Sequence, residues 1–550
     1  LYFLQQRGVP FALILPIMVV ASVPVSLVIG VFALRLRGVY FAIATLAFAY
    51  LAQKTFFQTY LGGQGGFDQI IHRPDYASDD YRLYYLIVAS LLAIAGICAL
   101  VRRSWIGTRI TALRDSEMAF AVLGHSPARC KLFTVCLAGA IATVAGIYYG
   151  LLQQVVPANY FSPILAVLYF AYAVVGGFGS IGGAIAAGIV FGTLPKYFDS
   201  LSEGRFVGYD QFFAGFLALL IILTTRGGMN GNGNRPRGIT ADPDKLARIQ
   251  TARRRIAARL PAATEALRPD PMKLARFLPA RERLATRMAP GSPWFVERRV
   301  HGEEILTVHG LSIRFGGLQA LDQVAVVART GEVTGVIGPN GAGKTTFFNC
   351  VSGLYSPDSG DITYEGRPLR GSVVARGRLG LGRTFQTPRL FASLSVLDNL
   401  LLGCAVATAT GRGYSFEPSL SRLRSDERVE RIARIVGFRG DLAMPAGALS
   451  FGDLRVVEFA RALCAAPRLL MLDEPASGLD TERAGDLVAL LRRLADLGLA
   501  ILLIEHDMTF VMGLCDTITV LDFGTVLAQG TPAEVQTNDA VIEAYLGRSA

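Results

Sequence analysis

Long apolar runs with few charged residues fill positions 10 to 225, and this feature limits what the chain can fold into more than any other. A bilayer core of ~30 Å is crossed by ~20 helical residues, because an α-helix rises ~1.5 Å per residue. About seven runs reach or approach that length: 10–34, 39–61, 82–101, 131–152, 163–178, 181–198 and 208–225. The sequence therefore predicts an all-α polytopic transmembrane domain over residues 1–226.

Two of the predicted spans, 163–178 and 181–198, are short and interrupted by glycine. Between their apolar parts the chain carries Gly176-Gly177-Phe178-Gly179-Ser180, a sequence typical of a turn. We expect the two segments to form a tight helical hairpin.

The basic residues of the connecting loops predict the orientation of the spans, because Lys and Arg favour the cytoplasmic side of a membrane. If the spans alternate in direction, all the basic loops fall on one side and the acidic loop 62–81 on the other. The C-terminal half then lies in the cytoplasm of a multi-pass membrane protein. The basic residues are Arg35, Arg37, Arg102, Arg103, Arg109, Arg114, Arg129, Lys131 and Arg226, and the acidic ones are Asp68, Asp75, Asp79 and Asp80.

The rest of the chain has the composition of a soluble protein, and 550 residues are too many for one compact core. Between Arg226 and Arg299 lie 17 Lys or Arg and 6 Asp or Glu, which accounts for the whole net charge of +11. The positive charge is thus local and does not indicate a nucleic-acid-binding domain. We interpret residues 227–302 as a basic cytoplasmic linker, which forms either an amphipathic helix on the anionic leaflet or a solvated tether.

The seven cysteines include no CxxC pair and have no nearby histidine at ligand spacing. We therefore expect small core residues in a reducing or lipid setting, not disulfides or zinc ligands.

A phosphate-binding loop with the pattern GxxxxGK[ST] follows a strand-like run at 332–337. Its glycines let successive backbone N–H groups point at a phosphate without a clash from Cβ. Lys344 brings a cation to the β and γ oxygens, and the Thr345 hydroxyl is suited to ligate Mg²⁺. We expect a helix to begin at Thr346. The candidate nucleotide-binding residues of this loop are Gly338, Asn340, Gly341, Gly343, Lys344, Thr345 and Thr346.

A second apolar strand, 469–473, ends in two adjacent carboxylates. Such a pair can hold a Mg²⁺-bound water and polarise the attacking one. We predict Glu474 to be the general base and Asp473 the outer-shell partner of Mg²⁺.

Four further motifs stand around the acid pair in the chain. Gln386, at the end of Gly382-Arg-Thr-Phe-Gln386, can reach a metal ion and a water. Ser450 and Gly452, within Leu449-Ser-Phe-Gly-Asp453, offer donors suited to a γ-phosphate. Asp480 closes a motif that begins at Ser477, and His506 follows a predicted strand at 501–504, where it can sense the γ-phosphate.

These motifs, in this order, resemble those of the ABC ATPase family over about residues 303–550. The resemblance implies an α/β P-loop nucleotide-binding domain that dimerises head to tail, with each ATP between one subunit's phosphate loop and the other's signature segment (449–453 here). It implies ATP and Mg²⁺ as cofactors, with Thr345, Gln386 and Asp473 at the metal. It also implies that Phe315 stacks on adenine, although a core phenylalanine would look the same in the sequence.

The signature segment departs from the family at Asp453, where glutamine is usual. Ser450 and Gly452 are retained. A carboxylate repels phosphate and cannot donate the hydrogen bonds of an amide. We expect the composite ATP site that this signature completes to be the slower one, unless the side chain of residue 453 faces solvent.

Both halves resemble the high-affinity branched-chain amino acid uptake family of ABC transporters. In the ATPase half the resemblance rests on Ile337–Asn349, Gly382–Phe391 and the segments Ile504–Met508, Val520–Gly524, Gly530–Val535 and Ala544–Gly547. In the permease half it rests on Arg35–Leu46, Gly62–Gly66, Ile106–Gly124 and Val175–Gly183. The family permease has further N-terminal spans, and the chain begins at Leu1, so we expect upstream residues to be missing.

Residues 112–124, with Arg114, Asp115, Glu117 and Gly124, lie in the largest cytoplasmic loop and resemble the family's coupling helix. The resemblance implies docking near the glutamine motif of an ATPase; the alternative is a plain surface helix.

The combined interpretation is a permease fused to its ATPase, forming half of an ATP-driven importer of branched-chain or related small amino acids or amides. The implied partners are a second permease subunit, a second ABC ATPase subunit and an extracytoplasmic substrate-binding protein. One alternative keeps this machinery but carries urea, short amides or aromatic acids. Others are an ABC exporter half-transporter, which typically has longer helices that extend into the cytoplasm, and a membrane-anchored ATPase without transport.

Overall fold

The computed structural model describes residues 1–36, 39–55, 71–154, 163–177, 180–201, 302–479 and 481–546. Its contacts divide the chain into two compact units. The first is Leu1–Ile106 with Lys131–Arg268, and the second is Gly107–Cys130 with Pro269–Ala550. The loop 107–130, which the sequence placed in the transmembrane domain, thus packs with the C-terminal half. The predicted linker and the predicted span 208–225 lie outside the described residues.

The first unit is helical. Three of its described helices are long and apolar enough to cross a membrane: Phe11–Arg35, Asp80–Arg103 and Pro127–Gln153. Their ends lie within a few residues of the predicted spans. Large apolar side chains such as Val20 and Leu92 are more than 60% exposed, because these helices bury little of their surface within the chain. The other α-helices of this unit, among its described residues, are Tyr2–Gln6, Val39–Leu51, Pro163–Gly176 and Ile181–Leu201.

The predicted helical hairpin is confirmed by the last two of these helices. Tyr172 stacks on Phe191 with ring centroids 4.2 Å apart. A Cβ on Gly176 would lie 2.6 Å from the carbonyl oxygen of Gly183, so glycine permits the two backbones to approach this closely.

The second unit carries two β-sheets. The first is antiparallel, in the order β2-β1-β4-β5. The second has the order β10-β9-β3-β8-β7-β6, parallel except for β10 at its edge. The strands are Glu304–Phe315 (β1), Leu318–Arg329 (β2), Val333–Ile337 (β3), Ser359–Tyr364 (β4), Arg367–Pro368 (β5), Leu381–Arg383 (β6), Leu469–Asp473 (β7), Ala500–Ile504 (β8), Thr517–Asp522 (β9) and Thr525–Gly530 (β10).

The three central strands β3, β7 and β8 are buried over their whole length, as expected for a parallel sheet covered on both faces. Helices follow the strands, and several begin at a side-chain cap: Ser395, Ser450, Asp507 and Thr531 each accept a backbone N–H of the first turn. This α/β unit confirms the predicted fold class. The helices are Lys344–Ser352, Val373–Leu379, Val396–Thr410, Ser425–Ile435, Phe451–Cys464, Thr481–Asp496, Met508–Leu514, Pro532–Gln536 and Asp539–Leu546.

The loop 107–130 contributes the end of the helix Trp105–Asp115 and the short helix Glu117–Val122. Ser116 caps the second helix by accepting the N–H of Ala119 at 3.3 Å. Ala119, Phe120 and Val122 are buried, which rules out a helix that lies free on a surface.

Candidate ATP site and its contact with the loop 107–130

The phosphate-binding loop runs from the end of β3 to the helix Lys344–Ser352, which begins two residues earlier than predicted. Gly338 and Gly343 have φ values of +150° and +96°. A Cβ on Gly338 would lie 2.0 Å from the carbonyl oxygen of Leu521, and one on Gly343 would lie 2.6 Å from that of Ala320. Glycine is therefore required at both positions, by conformation and by space.

Lys344 folds back across this loop. Its Nζ donates to the carbonyl oxygens of Gly338 and Pro339 at 2.6 and 2.8 Å. Burial lowers the pKa of Lys344, while the charges of Glu474 and Asp473 raise it. Asn340, Gly341 and Thr345 are exposed and Thr346 is half-buried, so these four residues are accessible to a ligand from solvent.

The acid pair lies at the carboxyl end of β7, as predicted. Asp473 is buried, and its Oδ2 lies 3.6 Å from Nη2 of Arg383 on the neighbouring strand β6. Burial raises the pKa of Asp473, and Arg383 lowers it. The Thr345 hydroxyl, the Asp473 carboxylate and the Gln386 amide are oxygen donors of the kind that Mg²⁺ prefers, so these residues fit the predicted metal site.

Glu474 is the residue on which the other two predicted catalytic side chains, those of Gln386 and His506, converge. Nε2 of Gln386 donates to its Oε2 at 3.0 Å, and Nδ1 of His506 lies 3.8 Å from the same oxygen. Its backbone has φ +48°, an unusual value for a residue with a side chain, and its N–H donates to Ile504 at 2.9 Å. Strained backbone of this kind is concentrated at functional sites.

Sequence reasoning missed Glu505, which is fully buried beside this group. Its carboxylate accepts the N–H of Ala476 at 2.8 Å and that of His506 at 3.0 Å. It thereby ties the segment after the acid pair to the histidine. The sequence signal that could have identified Glu505 is its position directly after the apolar strand β8.

Of the remaining residues predicted to contact the nucleotide, Phe315 lies on β1, and Ser450 and Gly452 lie at the start of the helix Phe451–Cys464. Phe315 ends β1, is 45% exposed and meets Tyr355 edge to face with centroids 5.2 Å apart. Ser450 caps the helix Phe451–Cys464, and a Cβ on Gly452 would lie 2.2 Å from Nη1 of Arg483. Asp480 lies outside the described residues.

Asp453 faces the signature serine. Oγ of Ser450 donates to Oδ2 of Asp453 at 2.7 Å and accepts the N–H of Asp453 at 3.2 Å. The carboxylate of residue 453 thus engages the hydroxyl that the sequence assigned to a γ-phosphate, and the expectation of a slow composite site stays a prediction.

The loop 107–130 contacts the segment that follows Gln386. Oδ2 of Asp115 accepts the N–H of Ser393 at 2.8 Å, and Oδ1 of Asp115 accepts the Ser393 hydroxyl at 3.1 Å. Nη2 of Arg114 donates to the same hydroxyl at 2.7 Å. Phe120 packs edge to face on Phe391, with centroids 6.5 Å apart.

The other end of the loop is fixed by His125 and Gly124. The ring of His125 is stacked on Phe120, and its Nε2 is hydrogen-bonded to the carbonyl oxygen of Leu402 at 3.0 Å. Burial, with the nearby cations Arg109 and Arg378, lowers the pKa of His125 to about 3, so the imidazole is neutral and its Nε2 donates. Nε of Arg378 donates to the carbonyl oxygen of Gly124 at 2.8 Å.

The contact leaves no room for a side chain at Gly377. A Cβ there would lie 2.3 Å from the carbonyl oxygen of Val122. The loop and the surface that receives it are therefore matched in shape as well as in hydrogen bonding.

Comparison with known families decides which group of proteins this arrangement belongs to. Residues 1–250 match the model of the permease component of the branched-chain amino acid transport system. Residues 321–477 match that of the ABC transporters, and residues 525–550 that of the branched-chain amino acid ATP-binding cassette transporters. The chain belongs to the branched-chain amino acid family of ABC transporters. It is an ATP-hydrolysing transporter that carries permease and ATPase on one polypeptide.

Individual relatives of this transporter resemble its ATPase half. The high-affinity branched-chain amino acid transport ATP-binding protein LivG of Salmonella typhimurium is 42% identical over 255 residues, which cover 45% of this chain and 99% of LivG. BraF of Pseudomonas aeruginosa, which bears the same description, is 40% identical, over 44% of this chain and 98% of its own. A nucleotide-free ATP-binding cassette of an ABC transporter shares 28% identity over 45% of this chain and 100% of its own, with a TM-score of 0.39.

Proposed function

We propose that this protein is half of an importer that moves branched-chain or related small amino acids or amides across the bacterial inner membrane. A second permease, a second ABC ATPase and an extracytoplasmic binding protein complete the assembly, and the ATPase half faces the cytoplasm. The substrate proposal rests on the family matches of both halves and on relatives described as branched-chain amino acid transport proteins.

In this proposal the phosphate loop binds ATP through its backbone N–H groups, and Lys344 exchanges the carbonyl oxygens of Gly338 and Pro339 for phosphate oxygens. Glu474 takes a proton from the attacking water, and Gln386 and His506 orient the reacting groups. Thr345 and Gln386, with Asp473 as the outer-shell partner, would hold Mg²⁺, and the ion would neutralise charge on the phosphate oxygens. Phe315 stacks on adenine. Ser450, Gly452 and Asp480 serve the composite site shared with the second ATPase.

Coupling follows from the contact between the loop 107–130 and the segment that begins at Gln386. Gln386 touches the general base at one end of this segment, and Ser393 is held by Asp115 at the other. A movement of the loop therefore displaces the segment that carries Gln386. This observation carries the proposal that hydrolysis and transport are linked through residues 112–124, as a two-state switch.

Uptake by proteoliposomes tests the function. The assembled complex, with ATP enclosed on the side of the ATPase, should accumulate labelled leucine and hydrolyse ATP faster when the leucine-loaded binding protein is present. Stimulation by urea, short amides or benzoate instead of leucine would favour the alternative substrates. Extrusion of substrate without any binding protein would favour the exporter and contradict the proposal.

The side of the membrane is tested by labelling. In a variant without native cysteines, Ser78→Cys should react with an impermeant thiol reagent in intact cells. Met118→Cys should react only after the membrane is opened; both side chains are exposed within the chain. The reverse pattern would contradict the proposed orientation.

A further inference from the structure

Glu458 is a buried carboxylate on the helix Phe451–Cys464, two turns beyond the signature serine. Its Oε1 accepts the backbone N–H of Arg389 at 2.8 Å, and the carboxylate also accepts the N–H of Phe385. Both donors belong to the segment around Gln386. One side chain thus fixes the backbone on either side of the catalytic glutamine.

The same helix holds Gln386 itself. Nη2 of Arg455, one turn before Glu458, donates to the carbonyl oxygen of Gln386 at 2.7 Å. Gln386 can then point its amide at Glu474, 3.0 Å away. The side chain of Gln386 is exposed, so packing does not fix its orientation. Its position is therefore set by the hydrogen bonds that the neighbouring helix makes to the backbone of this segment.

Glu458 is also linked to the loop 107–130. Nη2 of Arg461 lies 3.7 Å from its Oε1, and both side chains are almost fully buried. The Arg461 guanidinium lies over the ring of Phe391, 4.9 Å from the centroid, and Phe391 in turn meets Phe120 of the loop. Glu458 thus contacts both the segment that reaches the general base and the group of side chains that receives the loop.

Packing alone does not explain a carboxylate at this position. Burial raises the pKa of Glu458, while Arg461 and the backbone N–H groups lower it. Nε and Nη1 of Arg461 have no hydrogen-bond partner among the described residues. A buried pair with incomplete hydrogen bonding stabilises a fold little, and well-packed apolar residues commonly do as well.

We propose that Glu458 is a positioning residue for ATP hydrolysis, which sets Gln386 against Glu474 and, with Arg461 and Phe391, ties that setting to the docked loop. The inference rests on the proposed roles of Glu474 and Gln386. The first connection between the ATP site and the loop is the backbone of residues 386–393. The side chains of Glu458, Arg461 and Phe391 form a second one.

The test compares Glu458→Ala, Glu458→Gln and the double variant Glu458→Leu/Arg461→Met in the assembled transporter. Thermal unfolding, ATP affinity, kcat and the stimulation by loaded binding protein are measured for each. The double variant replaces the ion pair by apolar side chains and should unfold within a few degrees of wild type. Its kcat should nevertheless fall ~10- to 100-fold with little change in ATP affinity, since small misplacements of a catalytic group have effects of that size. Glu458→Gln keeps an acceptor oxygen and should recover part of the kcat that Glu458→Ala loses.

A matched control is Glu365→Gln, which breaks the half-buried ion pair with Arg468 (2.7 Å) away from these contacts and should leave kcat unchanged. Wild-type kcat in the double variant, or in Glu458→Ala, would overturn the proposal. A parallel loss of ATP affinity in Glu458→Gln would also overturn it, because that pattern indicates general damage. Unchanged hydrolysis in Glu474→Gln would contradict the hydrolysis site itself, so the two failures can be told apart.

Discussion

The segment from Gln386 to Ser393 is held at its two ends by contacts of different kinds. At Gln386 the partner is Glu474, part of the nucleotide motifs of the same domain. At Ser393 the partner is Asp115, which lies 278 positions earlier in the chain, in a loop between two candidate membrane spans. In the proposed function, hydrolysis and its control thus have separate residues that share one short stretch of backbone. Changes at the first end should abolish hydrolysis, and changes at the second should uncouple it.

The largest effect is expected for Glu474→Gln. Without a carboxylate to accept the proton of the attacking water, turnover at this site should fall ~10²- to 10⁴-fold while ATP still binds, because general-base catalysis contributes rates of that order. Single-turnover hydrolysis and nucleotide binding, measured on the same preparation, check both statements. Turnover near that of wild type would assign the base to another residue.

Lys344→Ala should act on binding. In the proposed function the ammonium group makes charge-assisted hydrogen bonds to phosphate oxygens. The loss of ~1.5–3 kcal/mol would correspond to roughly 10- to 100-fold weaker ATP binding. Equilibrium titration with a fluorescent nucleotide measures this. Equal affinities for variant and wild type would contradict the assignment of the phosphate loop.

Gly377→Ala is the corresponding change at the other end. The new methyl group would lie 2.3 Å from the carbonyl oxygen of Val122, so the loop cannot stay docked as described. We expect hydrolysis without substrate to persist and its stimulation by loaded binding protein to be lost. Gly513→Ala, in a helix with nothing within 4 Å of the added atom, is the control and should behave as wild type. Full stimulation in Gly377→Ala would show that docking does not control hydrolysis.

A smaller, pH-dependent effect is expected from His125. Docking lowers its pKa to about 3, so protonation opposes docking. The contribution of the neutral imidazole to the free energy of docking is therefore fully present above pH ~6.5 and is lost as the pH falls towards 3. At pH 5 the loss amounts to about 2 kcal/mol. The ratio of stimulated to unstimulated hydrolysis should therefore drop on acidification. His125→Gln, which cannot be protonated, should show a flatter ratio; an identical pH profile would contradict this role.

The two ends also differ in what the sequence could predict. Gly338 and Lys344 belong to one short motif, and Asp473 and Glu474 are adjacent, as the predicted binding of phosphate and metal requires. The structure places Gly338 directly after β3, Lys344 at the start of the following helix, and the acid pair at the end of β7. The parallel core was predictable for another reason: β8 and the first four residues of β7 are continuous apolar runs, and β3 is interrupted only by Thr334 and Gly335.

The contacts around Ser393 and Glu458 could not be predicted in this way. Asp115 meets Ser393 only through tertiary folding, and nothing in the local sequence around Glu458 distinguishes a buried carboxylate from an exposed one. Residues 112–124 could be singled out by resemblance, but not the hydrogen bonds of Asp115 or the burial of His125. Helix ends were predicted to within a few residues, because capping depends on side chains that the apolar pattern does not specify.

The central claim, that the loop 107–130 controls hydrolysis through Ser393, is tested most directly with Asp115→Ala. This change removes two hydrogen bonds to Ser393, each worth about 0.5–1.5 kcal/mol and more when the acceptor is charged. The control is Asp426→Ala, which breaks an exposed ion pair with Arg424. The measurement is the ratio of leucine transported to ATP hydrolysed in proteoliposomes. We predict that Asp115→Ala keeps its unstimulated hydrolysis within about twofold of wild type and loses most of its leucine transport per ATP, whereas Asp426→Ala keeps both. A wild-type ratio in folded Asp115→Ala would contradict the account.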